Sequence, residues 1–215
     1  MRYQAVLFDL DGTLIDTIPL IRFSFEQVFA KLSLPWGNGE VLKTIGLPLR
    51  EAAERFAPTR VEEFLSLYSM HQQSRHQELT KLFPGAWETL TRLRDRGCLT
   101  AVVTSKRRST ALTGLALTGI DGLIQVTVSI DDVTRPKPDA EPVLRALEVL
   151  GVKPEDSVYV GDSWYDIISG REAGVTTVGV TWGMASREEL DEAGPDFIVS
   201  TWDELLAVFS LPPRY

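Results

Sequence analysis

A parallel α/β core of Rossmann-like architecture, interrupted after its first strand by an inserted all-helical cap, is what this 215-residue sequence predicts. Three observations point to it. Short β-branched runs recur at 5–8, 100–104, 124–129, 157–160, 176–180 and 197–199, apolar throughout instead of alternating, as in strands buried on both faces of a parallel sheet. Helical spacing at 87–96, 110–117, 142–150, 165–173 and 188–193 fills the gaps between them, which is βαβα order. The stretch 16–83 holds no comparable strand and is far too long for a βα connection.

The elements follow in order. The strand at 5–8 runs directly into an acidic turn. Beyond it, helical patterns at 18–31, 49–56 and 61–80 are broken by Pro35-Trp36-Gly37-Asn38-Gly39 and by Gly46-Leu47-Pro48, giving a cap of about four helices. The division expected is 1–15 with 84–215 as α/β core and 16–83 as cap. In the core, Gly97, Gly151 and Gly174 stop helices, while Ser186 with Glu189 and Thr201 with Glu204 have capping-box spacing.

Composition narrows the function classes. Hydrophobic residues at 44% and charged ones at 24% suit a globular core and exclude disorder or coiled coil. A net charge of −8 repels nucleic acid and anionic lipid, so no nucleic-acid or membrane partner is expected and a phosphate-bearing ligand must be held by local charge. Cys98 is the single cysteine, which excludes a disulfide framework and a cysteine-rich zinc site. The run at 5–8 is too short for a signal-peptide core and no run reaches membrane-spanning length, so a cytoplasmic location is expected.

Four segments carry chemistry, each at the carboxyl end of a different predicted strand, where open α/β sheets bind ligands. The first is Phe8-Asp9-Leu10-Asp11-Gly12-Thr13-Leu14-Ile15-Asp16. Asp9 and Asp11, two residues apart, leave the strand on one side, and two such close carboxylates call for a hard cation such as Mg²⁺. One of the pair can stay charged and attack while the other carries a proton, and Gly12 lets the chain turn sharply. An ordinary acidic turn reads the same residues; a calcium loop does not, because the glycine falls at its fourth position and Leu20 at its twelfth.

The second segment, Val103-Thr104-Ser105-Lys106, offers hydroxyls and N–H groups to a phosphate at a helix start, with Lys106 for a further anionic group. A solvated basic loop fits it equally. The third, Arg135-Pro136-Lys137-Pro138-Asp139, holds an ammonium between two prolines, although turn chemistry before a helix capped by Asp139 is an alternative. The fourth, Gly161-Asp162-Ser163-Trp164-Tyr165-Asp166, puts Asp162 at the sheet edge and Asp166 four residues on, both able to face one cation.

In this order the four segments resemble the four motifs of the haloacid dehalogenase (HAD) superfamily hydrolases, over essentially the whole chain. The resemblance implies that Asp9 is a nucleophile forming an aspartyl-phosphate and Asp11 a general acid and base. It also implies that Thr104 and Lys137 hold the phosphoryl group, and that Asp9, Asp11 and Asp162 bind Mg²⁺ with Asp166 as further ligand or support. An acid at position 11 resembles the phosphotransferring members, and Thr13 resembles phosphatases more than sugar phosphomutases. A non-catalytic binding protein on the same scaffold would be expected to have lost one of these residues.

The Ile45-Gly46-Leu47-Pro48-Leu49 loop, Leu117-Thr118-Gly119-Ile120 and Asp131-Asp132-Val133 leading to Pro136-Lys137-Pro138-Asp139-Ala140-Glu141-Pro142 are similar to the branch of bacterial pyrophosphatases and phosphoglycolate phosphatases. Tyr68 and Arg75-His76-Gln77-Glu78-Leu79 lean to the pyrophosphatase side. The expected substrate is therefore inorganic pyrophosphate, with phosphoglycolate as the alternative. Gly12, Ser105, Lys106, Arg50 and His76 are the expected substrate contacts. Trp87, Trp164, Trp182 and Trp202 are read as packing residues.

Overall fold

A computed structural model describes residues 3–210. Six parallel strands form one sheet in the order β5-β4-β1-β6-β7-β8. They are β1 (Ala5–Phe8), β4 (Leu99–Val103), β5 (Val126–Val128), β6 (Ser157–Gly161), β7 (Thr176–Val180) and β8 (Phe197–Val199). Central β1 shows why an all-apolar strand was needed. Val6 and Phe8 enter one core with Leu90, Val102 and Leu205, while Ala5 and Leu7 enter the other with Val103, Val143 and Leu147. Helices α4 (Ala86–Asp95), α5 (Arg108–Thr118), α6 (Glu141–Leu150), α7 (Trp164–Glu172), α8 (Arg187–Ala193) and α9 (Trp202–Val208) alternate with these strands.

Register positions the site. Phe8 lies opposite Val102 on one side and Val160 on the other, so the residues just beyond all three strands come out side by side. The crossover where β1 meets β4 and β6 is the switch point at which such sheets bind ligands.

Between β1 and β4 the chain forms α1 (Ile18–Leu32), a 3-10 turn at Glu40–Thr44, α2 (Leu49–Phe56) and α3 (Val61–Leu79). Their apolar faces close on each other: Phe25, Phe29, Ala53, Phe64 and Tyr68 form a cluster separate from both sheet cores. Two features differ from the sequence reading. The fourth expected helix is the 3-10 turn, following Gly39 in the left-handed region. A two-stranded antiparallel ribbon, β2 (Ile15–Asp16) with β3 (Lys81–Leu82), stands where no strand was expected, because two residues are too few to show alternation.

Caps also differ in detail. Ser186 and Glu189 make the expected box. At α9, Thr201 accepts from the Glu204 N–H, but the Glu204 carboxylate reaches back to the Ser200 N–H at 2.7 Å, so only half of that box forms. Cys98 is buried, and burial pushes its thiol up to about 11, leaving a small apolar group. Among the described residues no helix is long and apolar enough to cross a membrane.

Candidate active site

The three strand ends, together with the loop before α6, converge on one buried ammonium. Lys137, 2% exposed, donates to Asp9 Oδ1 at 2.6 Å and to Asp166 Oδ1 at 2.7 Å. Its third donor is shared between the Tyr159 hydroxyl at 3.3 Å and the Val103 carbonyl at 3.4 Å. The prolines on either side make this possible: Asp139 N–H closes onto Pro136 O at 2.9 Å, a tight turn that throws Lys137 inward. Asp139 in turn accepts from Glu141 N–H at 2.8 Å at the start of α6, so the segment both starts a helix and supplies a buried cation.

Asp9 is 5% exposed, and its Oδ2 has no hydrogen-bond partner among the described residues. Burial holds its carboxyl well above the usual range; Lys137 opposes this, while Asp166, Asp162 and Asp11 add to it. Asp162 leaves β6 between two donors, Thr13 Oγ1 to Oδ1 at 3.1 Å and Met184 N–H to Oδ2 at 2.7 Å. Burial and then Asp166 push it up to about 7 despite those donors. For Lys137, burial works against the charge, but Asp166 and Asp9 outweigh it and hold the ammonium above its ordinary range.

Asp166 is the third residue of a capping box with Ser163 that the sequence reading did not foresee. Its Oδ2 accepts from the Ser163 N–H and hydroxyl, and its Oδ1 from Lys137 and the Tyr159 hydroxyl at 2.8 Å. Tyr159, the aromatic residue of β6, has no role in the sequence reading; a hydroxyl among the inward-facing residues next to the Gly161-Asp162 turn is the available signal.

The carboxylates of Asp9, Asp162 and Asp166 lie within 4.8 Å of one another. Hard oxygen donors at this spacing, with the Asp9 and Asp162 carboxyls pushed up by burial and mutual repulsion, fit a divalent cation, whose charge would relieve that repulsion. Asp9, Asp162 and the Asp11 carbonyl, which accepts no hydrogen bond among the described residues, could hold it. Asp166 has both oxygens engaged, which suits support more than direct ligation.

Gly12, at φ +83°, is required by contact as well as by conformation, since a Cβ there would sit 2.2 Å from Asp162 Oδ2. Asp11 accepts from the Thr17 hydroxyl and pairs with Lys106 Nζ at 3.1 Å. Thr104 Oγ1 accepts from the Lys106 N–H at 3.2 Å, fixing the turn after β4. The Ser105 hydroxyl donates to the Gly46 carbonyl at 2.6 Å, pinning the 45–49 loop to the core.

A cavity of about 940 Å³ opens above these groups, with Asp9, Asp11, Thr104 and Asp162 on one side and Phe25, Leu49 and Tyr68 on the other. Arg50 lines it, but its guanidinium is paired with Glu62 at 2.8 Å in an exposed position. His76 is not brought to the cavity. It is 7% exposed and faces α5, near Gly114, with Nε2 unpartnered among the described residues. Burial, then Lys106, hold its imidazole below the ordinary range against a smaller pull from Asp11. Tyr68 and Gln72, two turns and one turn earlier on α3, line the cavity instead.

The raised carboxyl of Asp162 has a measurable consequence. The folded protein holds a proton there that the unfolded chain has lost, so metal-free stability is expected to fall as pH rises from about 4 to about 7, at roughly 1.4 kcal/mol per pH unit for one proton. Urea midpoints in EDTA across pH 4.5–8 check this. The slope is expected to flatten in Asp162→Asn and on adding Mg²⁺, which binds the ionised form.

Comparison with known proteins agrees with this geometry. Residues 6–180 match the family model of the haloacid dehalogenase-like hydrolases. "Pyrophosphatase PpaX" of Halalkalibacterium halodurans is 37% identical over the full length of both chains, and that of Oceanobacillus iheyensis is 36% identical over 97% of each. Among solved structures, a haloacid dehalogenase-like hydrolase of Streptococcus pneumoniae superposes with a TM-score of 0.84 at 26% identity, over 97% of this chain and 99% of that one. A "predicted phosphoglycolate phosphatase" of Haemophilus somnus superposes at 0.87 with 25% identity, over 97% and 99%. With its parallel sheet, acidic cluster and buried lysine, this chain belongs to the haloacid dehalogenase-like hydrolases and is an enzyme of their phosphatase type.

Proposed function

We propose that this enzyme is a Mg²⁺-dependent phosphatase that cleaves inorganic pyrophosphate through an aspartyl-phosphate on Asp9, in the cytoplasm. The observation that carries the reading is the pair Asp9 and Asp162 at the floor of a cavity walled by α1, α3 and the 45–49 loop, with Asp166 and Lys137 buried beside them. Residues 16–83 are proposed to act as the cap that excludes water from that floor.

Asp9 Oδ2 is the free nucleophilic oxygen, with Lys137 holding Oδ1. In the first step Asp9 attacks phosphorus, the bond to the bridging oxygen breaks, and Asp11 gives its proton to the departing phosphate. In the second, water attacks the aspartyl-phosphate and Asp11 takes its proton, which restores Asp9. Thr104 and Lys137 steady the phosphoryl oxygens, and Mg²⁺ held by Asp9, Asp11 and Asp162 supplies charge neutralisation.

Lys106 is proposed to recognise the second phosphate. Both cations have a carboxylate partner, but Lys106 is nearly buried against Asp11 inside the cavity, whereas Arg50 is half-exposed against Glu62 at the rim. In Lys106→Ala the KM for pyrophosphate is expected to rise about 10- to 100-fold, the scale of a hydrogen bond to a charged group; an unchanged KM rejects the role. Phosphoglycolate is the second reading, supported by the name of the Haemophilus somnus neighbour. A Mg²⁺-dependent phosphate-release panel covering pyrophosphate, phosphoglycolate, sugar phosphates and nucleotides tests the proposal. A highest kcat/KM on any substrate but pyrophosphate rejects the first reading.

A further inference from the structure

We propose that Trp182 is a positioning residue, and that residues 182–185, which follow β7, form a clamp aiming the Asp162 carboxylate at the cation. The inference rests on the reading of Asp162 as a metal ligand.

Asp162 is gripped by this segment along its whole length. Met184 N–H bonds Oδ2 at 2.7 Å, and Ala185 N–H bonds the Asp162 main-chain carbonyl at 3.2 Å. Between them Gly183 packs so close that a Cβ would lie 2.2 Å from Oδ2. The other oxygen is reached indirectly. The Trp182 indole Nε1–H donates to the Thr13 carbonyl at 3.1 Å, and the Thr13 hydroxyl donates to Asp162 Oδ1 at 3.1 Å. One short segment therefore governs both oxygens, by its backbone on one side and by way of Thr13 on the other.

The indole itself is fixed. Trp202 of α9 stacks on it at 4.7 Å and 31°, and Trp202 lies against Gly85 so tightly that a Cβ there would be 2.6 Å from its ring. Packing alone requires only an aromatic ring at 182. A donor aimed at the turn that carries Asp9, Asp11 and Thr13 is what an indole adds. Hydrogen bonds behind a metal ligand orient it, and their loss typically lowers metal affinity 10–100-fold.

Thermal-shift titration of the full chain with Mg²⁺ tests this. In Trp182→Phe, which keeps the stacked ring and removes the N–H, the half-saturating Mg²⁺ concentration is expected to rise about tenfold. The same change in a Thr13→Val background is expected to add little, because both act on the same oxygen. Gly183→Ala is expected to weaken binding further and carries the test if Trp182→Phe does not fold. An unchanged Mg²⁺ midpoint in Trp182→Phe, with only a lower metal-free Tm, reduces Trp182 to packing and overturns the inference alone. A wild type with no Mg²⁺-dependent shift overturns the metal reading and the inference with it.

Discussion

In Asp9→Asn, phosphate release is expected to fall about 10⁴-fold or more, while the metal-free protein keeps its melting temperature or gains a few degrees. The two halves of this result have different causes. An amide oxygen cannot displace a phosphate leaving group, so loss of the nucleophile removes the pathway and not merely some affinity. The fold loses nothing comparable, because Asn retains an acceptor for Lys137 and relieves the crowding of negative charge that burial, Asp166 and Asp162 impose on Asp9. Phosphate assay and calorimetry on one preparation separate the effects. Near-normal turnover would move the nucleophile elsewhere; a large drop in Tm would make the Asp9 charge structural.

Lys137→Met should reverse the pattern and damage both properties. Methionine fills similar volume but leaves Asp9 and Asp166 without the ammonium that touches both. Breaking a buried ion pair from one side costs about 3–5 kcal/mol, and for a chain of this size each kcal/mol lowers Tm by about 2–4 °C. A loss of about 10 °C is therefore expected at pH 7.5, with turnover reduced at least about 10³-fold as the phosphoryl oxygens also lose their cation. At pH 5 the damage to Tm is expected to shrink, since the stranded carboxyls can take protons there. A Tm loss equal at both pH values would place the defect in packing and not in charge.

Much of this arrangement could be read before any coordinates, and the reason is physical. Strands buried on both faces must be apolar at every position, so β1, β4, β6 and β7 announce themselves, and groups carrying charge at their ends stand out against that background. Asp9, Lys137 and Asp162 are visible in this way, and the structure brings them together. What stayed hidden depends on direction instead of composition. His76 shares a helix with cavity-lining Tyr68 and Gln72 but faces α5, and a weakly amphipathic helix gives no rule for choosing its inner face. Trp182 reads as a packing residue and Tyr159 as no site residue at all, because their rings do pack; the single polar atom on each, aimed at Asp166 or at the Thr13 carbonyl, leaves no mark on periodicity. The β2–β3 ribbon is too short for any pattern to exist.

The position of β1 in the middle of the sheet has a consequence for biosynthesis. One edge of it is covered by Leu99–Val103 and the other only by Ser157–Gly161. With ribosomes adding about 5–20 residues per second, the roughly 150 residues between β1 and β6 take about 8–30 s to emerge. Through that interval a wholly apolar strand waits with an open flank, a template for adhesion to other nascent chains. Only once residues 157–161 have left the ribosome can both edges of β1 be paired as they are in the folded sheet.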